Sequence, residues 1–370
     1  MIVPKQQIRT DLNIFLLIVA ILLLIGSVFI FSASSIYALE KFDSSSYFVK
    51  RQLVGIIIGL IALFVVSNIP LLYIKKYTPL FFFGSVALTA LTLLSQVAHQ
   101  VHGSSRWLTL FGFTFQPGEL LKVTLFLYLA YFLEKKIYAS SSLLHSGLPL
   151  LIILGLPSII LLKQPDFGFT VTLLVTAITL FFIARFQLRR LLVGIICMIP
   201  LCIGLIALYP YRVQRILTFL NPWKDPQGAG FQIIQSLIAI GSGGIWGIGI
   251  AHSKQKFFYL PMVHTDFIFS IIAEETGFLG TTFLLLLYIL FLYFGLRIAC
   301  NVKDTFTIFT ILGFTILTSL QAIISIAVAT GLAPTKGIGL PFVSYGNTSL
   351  VVNLIMVGII INMVRSSTIE

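Results

Sequence analysis

Apolar stretches of about 20 residues recur along this chain, each long enough for a helix to cross the hydrocarbon core of a bilayer, with short polar or Gly/Pro-containing breaks between them. The pattern predicts ten helical spans, at roughly 12–31, 50–67, 77–97, 117–133, 147–163, 167–184, 191–209, 267–296, 305–330 and 347–364. The fifth and sixth are joined only by "KQPDFG", whose Pro165 and Gly168 favour a tight turn. The expected fold is an all-α polytopic membrane protein, one integral domain over residues 1–370, with a large loop at about 210–266 between the seventh and eighth helices. That loop is too apolar for a solvated linker, and "FQIIQSLIAI" (231–240) within it reads as a short re-entrant or interfacial helix. The following "GSGGIWGIG" lacks a preceding strand and the lysine of a phosphate-binding loop. It reads as close backbone packing through glycine rather than a nucleotide site.

Composition agrees with a membrane setting, since 58% of residues are hydrophobic and the mean hydropathy is +1.04. The formal charge of +12 sits in short clusters between apolar runs, which suits orientation in a membrane and not nucleic-acid binding. With ten spans, the loops on the side of the termini carry twelve cations: Lys5, Arg9, Lys75, Lys76, Lys135, Lys136, Arg185, Arg189, Arg190, Arg297, Lys303 and Arg365. The opposite short loops carry six, so both termini are expected in the cytoplasm and the long loop outside. Lys5 and Arg9 before the first apolar run suggest a retained signal anchor. Cys197, Cys202 and Cys300 lie within or at the ends of apolar segments without metal-ligand spacing.

Ionisable groups inside such a chain need individual explanations, because each is costly near a bilayer centre. In "YLPMVHTDFIFSIIAEE" (259–275), Asp266 heads a helix face of small residues, Ser270, Ala273 and Gly277. Asp266 reads equally as a functional carboxylate or as a helix cap. Of Glu274 and Glu275, one is expected to line the same cavity and the other to hold a neighbouring helix. His264 is expected to position substrate or Asp266; a metal site would need more ligands than His252 supplies. "FQPGELLKV" opens a helix with Gln116 as cap and Pro117 at its first position, and places Glu119 and Lys122 on one face as a neutralising pair. In "HGSSRW", Arg106 beside Ser and Gly is suited to hold a phosphate, and Lys254 and Lys256 add cations in the long loop.

These segments resemble the SEDS family of cell-wall polymerases in order and over nearly the whole chain. The resemblance rests on "SSRW…FQPGELLK", "KQPDFG", "NPWKDPQGAGFQIIQS", "YLPMVHTDFIFSIIAEETGFLG" and "APTKGIGLPFVSYGNTSL", the last of which contains Ser344. "NPWKDP", "QKFFYLP" and "PTKG" look more like the family's division branch than its elongation branch. Three positions depart from the family pattern: Met262 where an acid is common, Asn347 where Gly-Gly is usual, and Gly118 in place of Ser.

The resemblance implies a peptidoglycan glycosyltransferase that polymerises lipid II, an undecaprenyl-diphosphate-linked disaccharide-pentapeptide, at the outer face of the bacterial cytoplasmic membrane, at the division septum for the division branch. Asp266 matches the family's essential aspartate, the base that takes a proton from the acceptor hydroxyl. Arg106 with Lys254 or Lys256 would stabilise the leaving diphosphate, and Glu119, Lys122, His264, Glu274 and Ser344 would line the substrate site. The small-residue groove below Asp266 would admit the prenyl tail. The implied partners are a class B penicillin-binding transpeptidase and other division proteins. No cofactor is implied with certainty, and a divalent cation is left open. The rival readings are an elongation polymerase, a lipid II flippase or transporter, and a noncatalytic division scaffold.

Overall fold

The computed structural model describes residues 5–94, 98–101, 104–110, 113–136, 143–186, 193–194, 196, 200, 203–204, 206–207, 209–255 and 264–369. The helices are α1 (Lys5–Phe42), α2 (Tyr47–Ser67), α3 (Leu71–Leu91), α4 (Pro117–Lys136), α5 (Leu143–Lys163), α6 (Phe167–Ile183), α7 (Pro210–Leu220), α8 (Phe231–Ser242), α9 (Ile268–Asn301), α10 (Thr305–Ala329) and α11 (Asn347–Ile369). Between α3 and α4 lies a small antiparallel sheet of β1 (Ala98–Val101), β2 (Ser104–Leu110) and β3 (Phe113–Phe115), in that order. Among these, α1, α2, α9, α10 and Asn347–Ser367 of α11 are long and apolar enough to cross a membrane. The seventh expected span, 191–209, lies largely outside the described residues, as do Cys197, Cys202, Lys256 and Met262.

Small residues let the helices approach. In α2, a Cβ on Gly55 would stand 2.8 Å from Asn347 Oδ1 and one on Gly59 2.4 Å from Leu354 Cδ1, so this Gly-x-x-x-Gly face seats directly on α11. Elsewhere the contacts are aromatic and aliphatic: Phe15 of α1 meets Phe291 of α9 with ring centroids 4.6 Å apart, within one continuous core.

Two expectations need correction. The third helix starts at Leu71, not residue 77, because Lys75 does not end it: its ammonium pairs with Glu134 of α4 and lies 5.6 Å over the Phe306 ring. The strands were not anticipated in an all-α reading. Leu108 pairs with Phe115 and Thr109 with Thr114, which puts Leu108 on the buried side at 2% exposure. The alternating "RWLTLFGFTF", rich in aromatic and β-branched residues around a Gly, carries that signal.

The glycine segment after α8 packs as expected. Within α9, Gly277 has φ 66° and ψ −160°, which breaks the helical ladder. The freed groups bond the loop instead: Ile248 and Gly249 donate to the carbonyls of Glu274 and Glu275 at 3.0 and 3.1 Å, and Phe278 donates to that of Gly244 at 2.9 Å. A Cβ on Gly277 would lie 2.3 Å from Gly247 N, so only glycine fits the crossing. The groove of Ser270, Ala273 and Gly277 is therefore filled by the chain itself. Ser236 of α8 lies 2.5 Å from Ser270, and a Cβ on Gly243 would lie 2.0 Å from the Ala273 carbonyl. It is not an open channel for a prenyl tail.

Candidate functional site

A cavity of about 800 Å³ opens where β2, the α5–α6 turn, α7, the turn before α9 and residues 335–353 converge. Its chemistry is concentrated in Arg106, Glu119, Asp166, Arg215, Asp266 and Lys336.

Arg106 is placed by β2 and anchored by the turn that the "KQPDFG" sequence builds. Its Nε donates to the Gln164 carbonyl at 3.3 Å and stands 3.4 Å from Asp166 Oδ2, while Nη2 donates to the Pro165 carbonyl at 2.6 Å. Gln164 in turn donates to the Thr89 carbonyl at 2.9 Å, tying the turn to α3. Asp166 is the N-cap of α6 and accepts from the Phe169 amide. Burial pushes its carboxyl above the ordinary range, opposed chiefly by Arg106. With the Nε–H and one Nη2 N–H spent on this turn, Nη1 and Asp266 Oδ2 lie to either side of Gly337. A Cβ at Gly337 would sit 3.8 Å from both Arg106 Nη1 and Asp266 Oδ2.

Asp266 occupies the turn ahead of α9. The helix N-cap is Phe267, whose side chain makes no cap hydrogen bond, so Asp266 does not hold the N-cap position. Burial pushes the Asp266 carboxyl up to about 6, opposed by the cations of Arg106 and Arg215. Two neighbours fix the turn. Ser344 Oγ donates to the Thr265 carbonyl at 2.6 Å and accepts from the Leu340 amide at 2.7 Å. The buried His264 packs on Phe48 and Tyr345 with ring centroids 4.4 and 5.6 Å away, and its carbonyl accepts from the Tyr345 amide at 2.9 Å. Burial lowers its imidazole to about 4, which keeps it neutral. His264 and Ser344 thus hold the turn that carries Asp266; of the two, Ser344 also lines the cavity.

Glu119 and Lys122 pair at 2.6 Å, and Lys122 also donates to Asn353 Oδ1 at 2.8 Å; Glu119 and Asn353 line the cavity. Lys336 and Arg215 are two further cations on the cavity. The Lys336 stem covers Gly168, where a Cβ would lie 2.8 Å from its Cδ, and burial lowers its ammonium pKa.

Two expectations fail. Glu274 does not line the cavity: it accepts from Ser253 Oγ and, at 2.9 Å, from the Lys254 amide. Glu275 accepts from Ser32 Oγ at 2.5 Å and the Ser253 amide at 3.3 Å, so both glutamates hold the long loop to the bundle. Lys254 is exposed and outside the cavity, because its backbone is held at Glu274; Lys256 lies outside the described residues. Among the described residues no three His, Cys, Asp or Glu side chains converge to hold a metal. Of the cavity carboxylates, Asp166 is paired with Arg106 and Glu119 with Lys122.

The chain matches a cell cycle protein family profile, FtsW/RodA/SpoVE, over residues 12–369. It is 40% identical over 351 residues to a probable peptidoglycan glycosyltransferase FtsW of Geobacter sp. (strain M18), covering 95% of each chain. It is also 40% identical over 361 residues to stage V sporulation protein E of Bacillus subtilis (strain 168), covering 97% of this chain and 98% of that one. Its fold superposes with a TM-score of 0.79 on a chain of a peptidoglycan synthase complex solved for its coordination of polymerization and crosslinking, at 30% identity and covering 95% and 97% of the two chains. These matches, with the apolar helices, make it a multi-pass membrane protein. It belongs to the FtsW/RodA/SpoVE family of cell cycle proteins.

Proposed function

We propose that the protein is a peptidoglycan glycosyltransferase that polymerises lipid II at the outer face of the bacterial cytoplasmic membrane, in the division branch of its family. The observation that carries it is the placement of Asp266, its carboxyl raised by burial, with the cations Arg106, Arg215 and Lys336 around one cavity. Glycan extension needs an acceptor hydroxyl to lose a proton as its oxygen attacks the anomeric carbon of the donor, while the diphosphate leaves with the bonding electrons. Asp266, with a pKa near working pH and Arg106 Nη1 across Gly337, serves as the general base. The three cations neutralise the departing diphosphate in a partly desolvated cavity. No second catalytic carboxylic acid is required, because a diphosphate leaves without protonation.

The division assignment is supported by the relatives at 40% identity, named FtsW and sporulation protein E, rather than rod-shape proteins. The partner that suits it is a class B penicillin-binding transpeptidase, which crosslinks the strands; other division proteins at the septum complete the setting. Both termini lie in the cytoplasm, in keeping with twelve cations on their side of the bundle. A transporter would hold its essential charges at the bilayer midplane. Here Asp266 precedes the first residue of α9, at a helix end.

The deciding experiment is polymerisation of lipid II by purified protein with its transpeptidase partner, comparing wild type with Asp266→Asn. Loss of the base lowers the rate by about 10²–10⁴ while the variant still inserts in membrane and binds the partner. A variant that polymerises at wild-type rate removes Asp266 from the chemistry.

A further inference from the structure

A second cavity, of about 430 Å³, lies between the start of α1 and the end of α11, lined by Arg9, Leu12, Asn13, Leu16, Ile361, Val364 and Arg365. It is at the opposite end of the bundle from Asp266: Asp266 stands just before α9, whereas Arg297, near the far end of α9, pairs with Asp11 of α1 at 2.9 Å.

The order of its lining along the membrane normal is what gives it a meaning. Arg9, Asn13 and Leu16 follow one face of α1 at helical spacing, and Ile361 and Arg365 follow one face of α11 running the other way. At about 1.5 Å per residue, Leu16 lies roughly 10 Å deeper than Arg9, and Ile361 about 6 Å deeper than Arg365. The rim is thus two exposed guanidiniums and an amide, and the floor is leucine, isoleucine and valine, of which Leu12, Ile361 and Val364 are buried. No acid lines it. The nearest carboxylate on α1, Asp11, points to another face and is committed to Arg297.

A charged rim at the membrane surface above an apolar groove repeats the polarity of a phospholipid from headgroup to acyl chain. We propose that this cavity binds an anionic phospholipid, with Arg9 and Arg365 on the phosphodiester, Asn13 on the ester region and the acyl chain laid between Leu16 and Ile361. A guanidinium presents five N–H donors in a fork that matches phosphate oxygens, which favours this headgroup over a bare carboxylate. The apolar floor distinguishes a lipid from free phosphate, which would leave it uncovered. The binding ties the first and last helices together at the side of the termini, and it is independent of the glycosyltransferase reading.

The test is native mass spectrometry of the full-length protein in detergent with added phosphatidylglycerol, phosphatidylcholine or glycerol phosphate. Phosphatidylglycerol should be retained as a defined adduct, and phosphatidylcholine and glycerol phosphate should not. Arg9→Gln with Arg365→Gln should weaken the adduct on the order of tenfold, at an unchanged melting temperature without lipid. Should that double variant fail to fold, Asn13→Asp keeps both arginines, adds a like charge to the headgroup and should weaken the adduct similarly. Equal retention of phosphatidylcholine, retention of glycerol phosphate in place of lipid, or an adduct untouched by the folded variants would each overturn the assignment.

Discussion

Lys122 and Glu119, one helical turn apart on α4, form an ion pair at 2.6 Å, and no part of Lys122 reaches solvent. The pair stands between the bundle interior and the cavity, since Asn353 takes the other side of the ammonium at 2.8 Å. Removing one partner leaves an uncompensated buried charge. Lys122→Met is therefore expected to cost about 3–5 kcal/mol of stability, and Glu119→Gln combined with Lys122→Met distinctly less, read as melting temperatures in detergent. If the double variant folds normally and binds no lipid II, the pair is also part of the substrate site. If it binds normally, the pair is structural only.

The broken helix gives a second expectation. Gly277→Ala places a side chain at φ 66° and 2.3 Å from Gly247 N, so the segment 244–249 can no longer bond to α9. Conformational strain of about 1–3 kcal/mol adds to the lost loop bonds. Limited proteolysis should then cleave the long loop faster than in wild type, while a control Gly84→Ala, with nothing within 4 Å, leaves the pattern unchanged. Equal cleavage of Gly277→Ala and wild type would mean that the loop is held by Glu274 and Glu275 alone.

Much of this arrangement was legible in residue order. Runs of about 20 apolar residues mark the helices because the bilayer sets their length, and Arg106 and Asp266 stood out because charge is scarce around them. What failed had one cause, the treatment of each segment as isolated. A helical wheel run through Gly277 put Glu274 beside an open groove, yet a positive φ there breaks the helix and admits the chain's own loop. Lys336 and Arg215 are not marked as site cations by their own segments, because nothing local shows that these fold over Gly168 and toward Asp266. The strands were short enough for the surrounding apolar runs to mask their alternation.

Orientation can be measured directly. Lys254 and Lys135 are both exposed, and the charge pattern puts them on opposite membrane faces. In a background with Cys197, Cys202 and Cys300 replaced by Ser, Lys254→Cys should react with a membrane-impermeant maleimide added outside intact cells. Lys135→Cys should react only after permeabilisation. Labelling of Lys254→Cys from the inside alone would invert the bundle and place Asp266 on the wrong face for an external substrate.

The last prediction concerns the proton on Asp266. Its carboxyl is raised from the model-compound value of 3.8 to about 6 by burial, against the pull of Arg106 and Arg215, with Lys336 also on the cavity. A raised acid favours the protonated form in the folded state. Its stabilising effect is complete below about pH 4 and is lost as pH rises toward and through about 6, leaving the folded protein to carry a buried charge at neutral pH. Asp266→Asn removes that charge. It should therefore be more stable than wild type at pH 7.5 by about 3 kcal/mol, read as a higher melting temperature, with the gap closing toward pH 4. In wild type the polymerisation rate should rise through about pH 6 as the base is unmasked, and Arg106→Gln should move that limb to higher pH as one of the opposing cations is lost. An Asn variant that is both inactive and more stable at neutral pH marks Asp266 as a group held for chemistry at the expense of the fold; an inactive variant that melts lower would assign it a structural role.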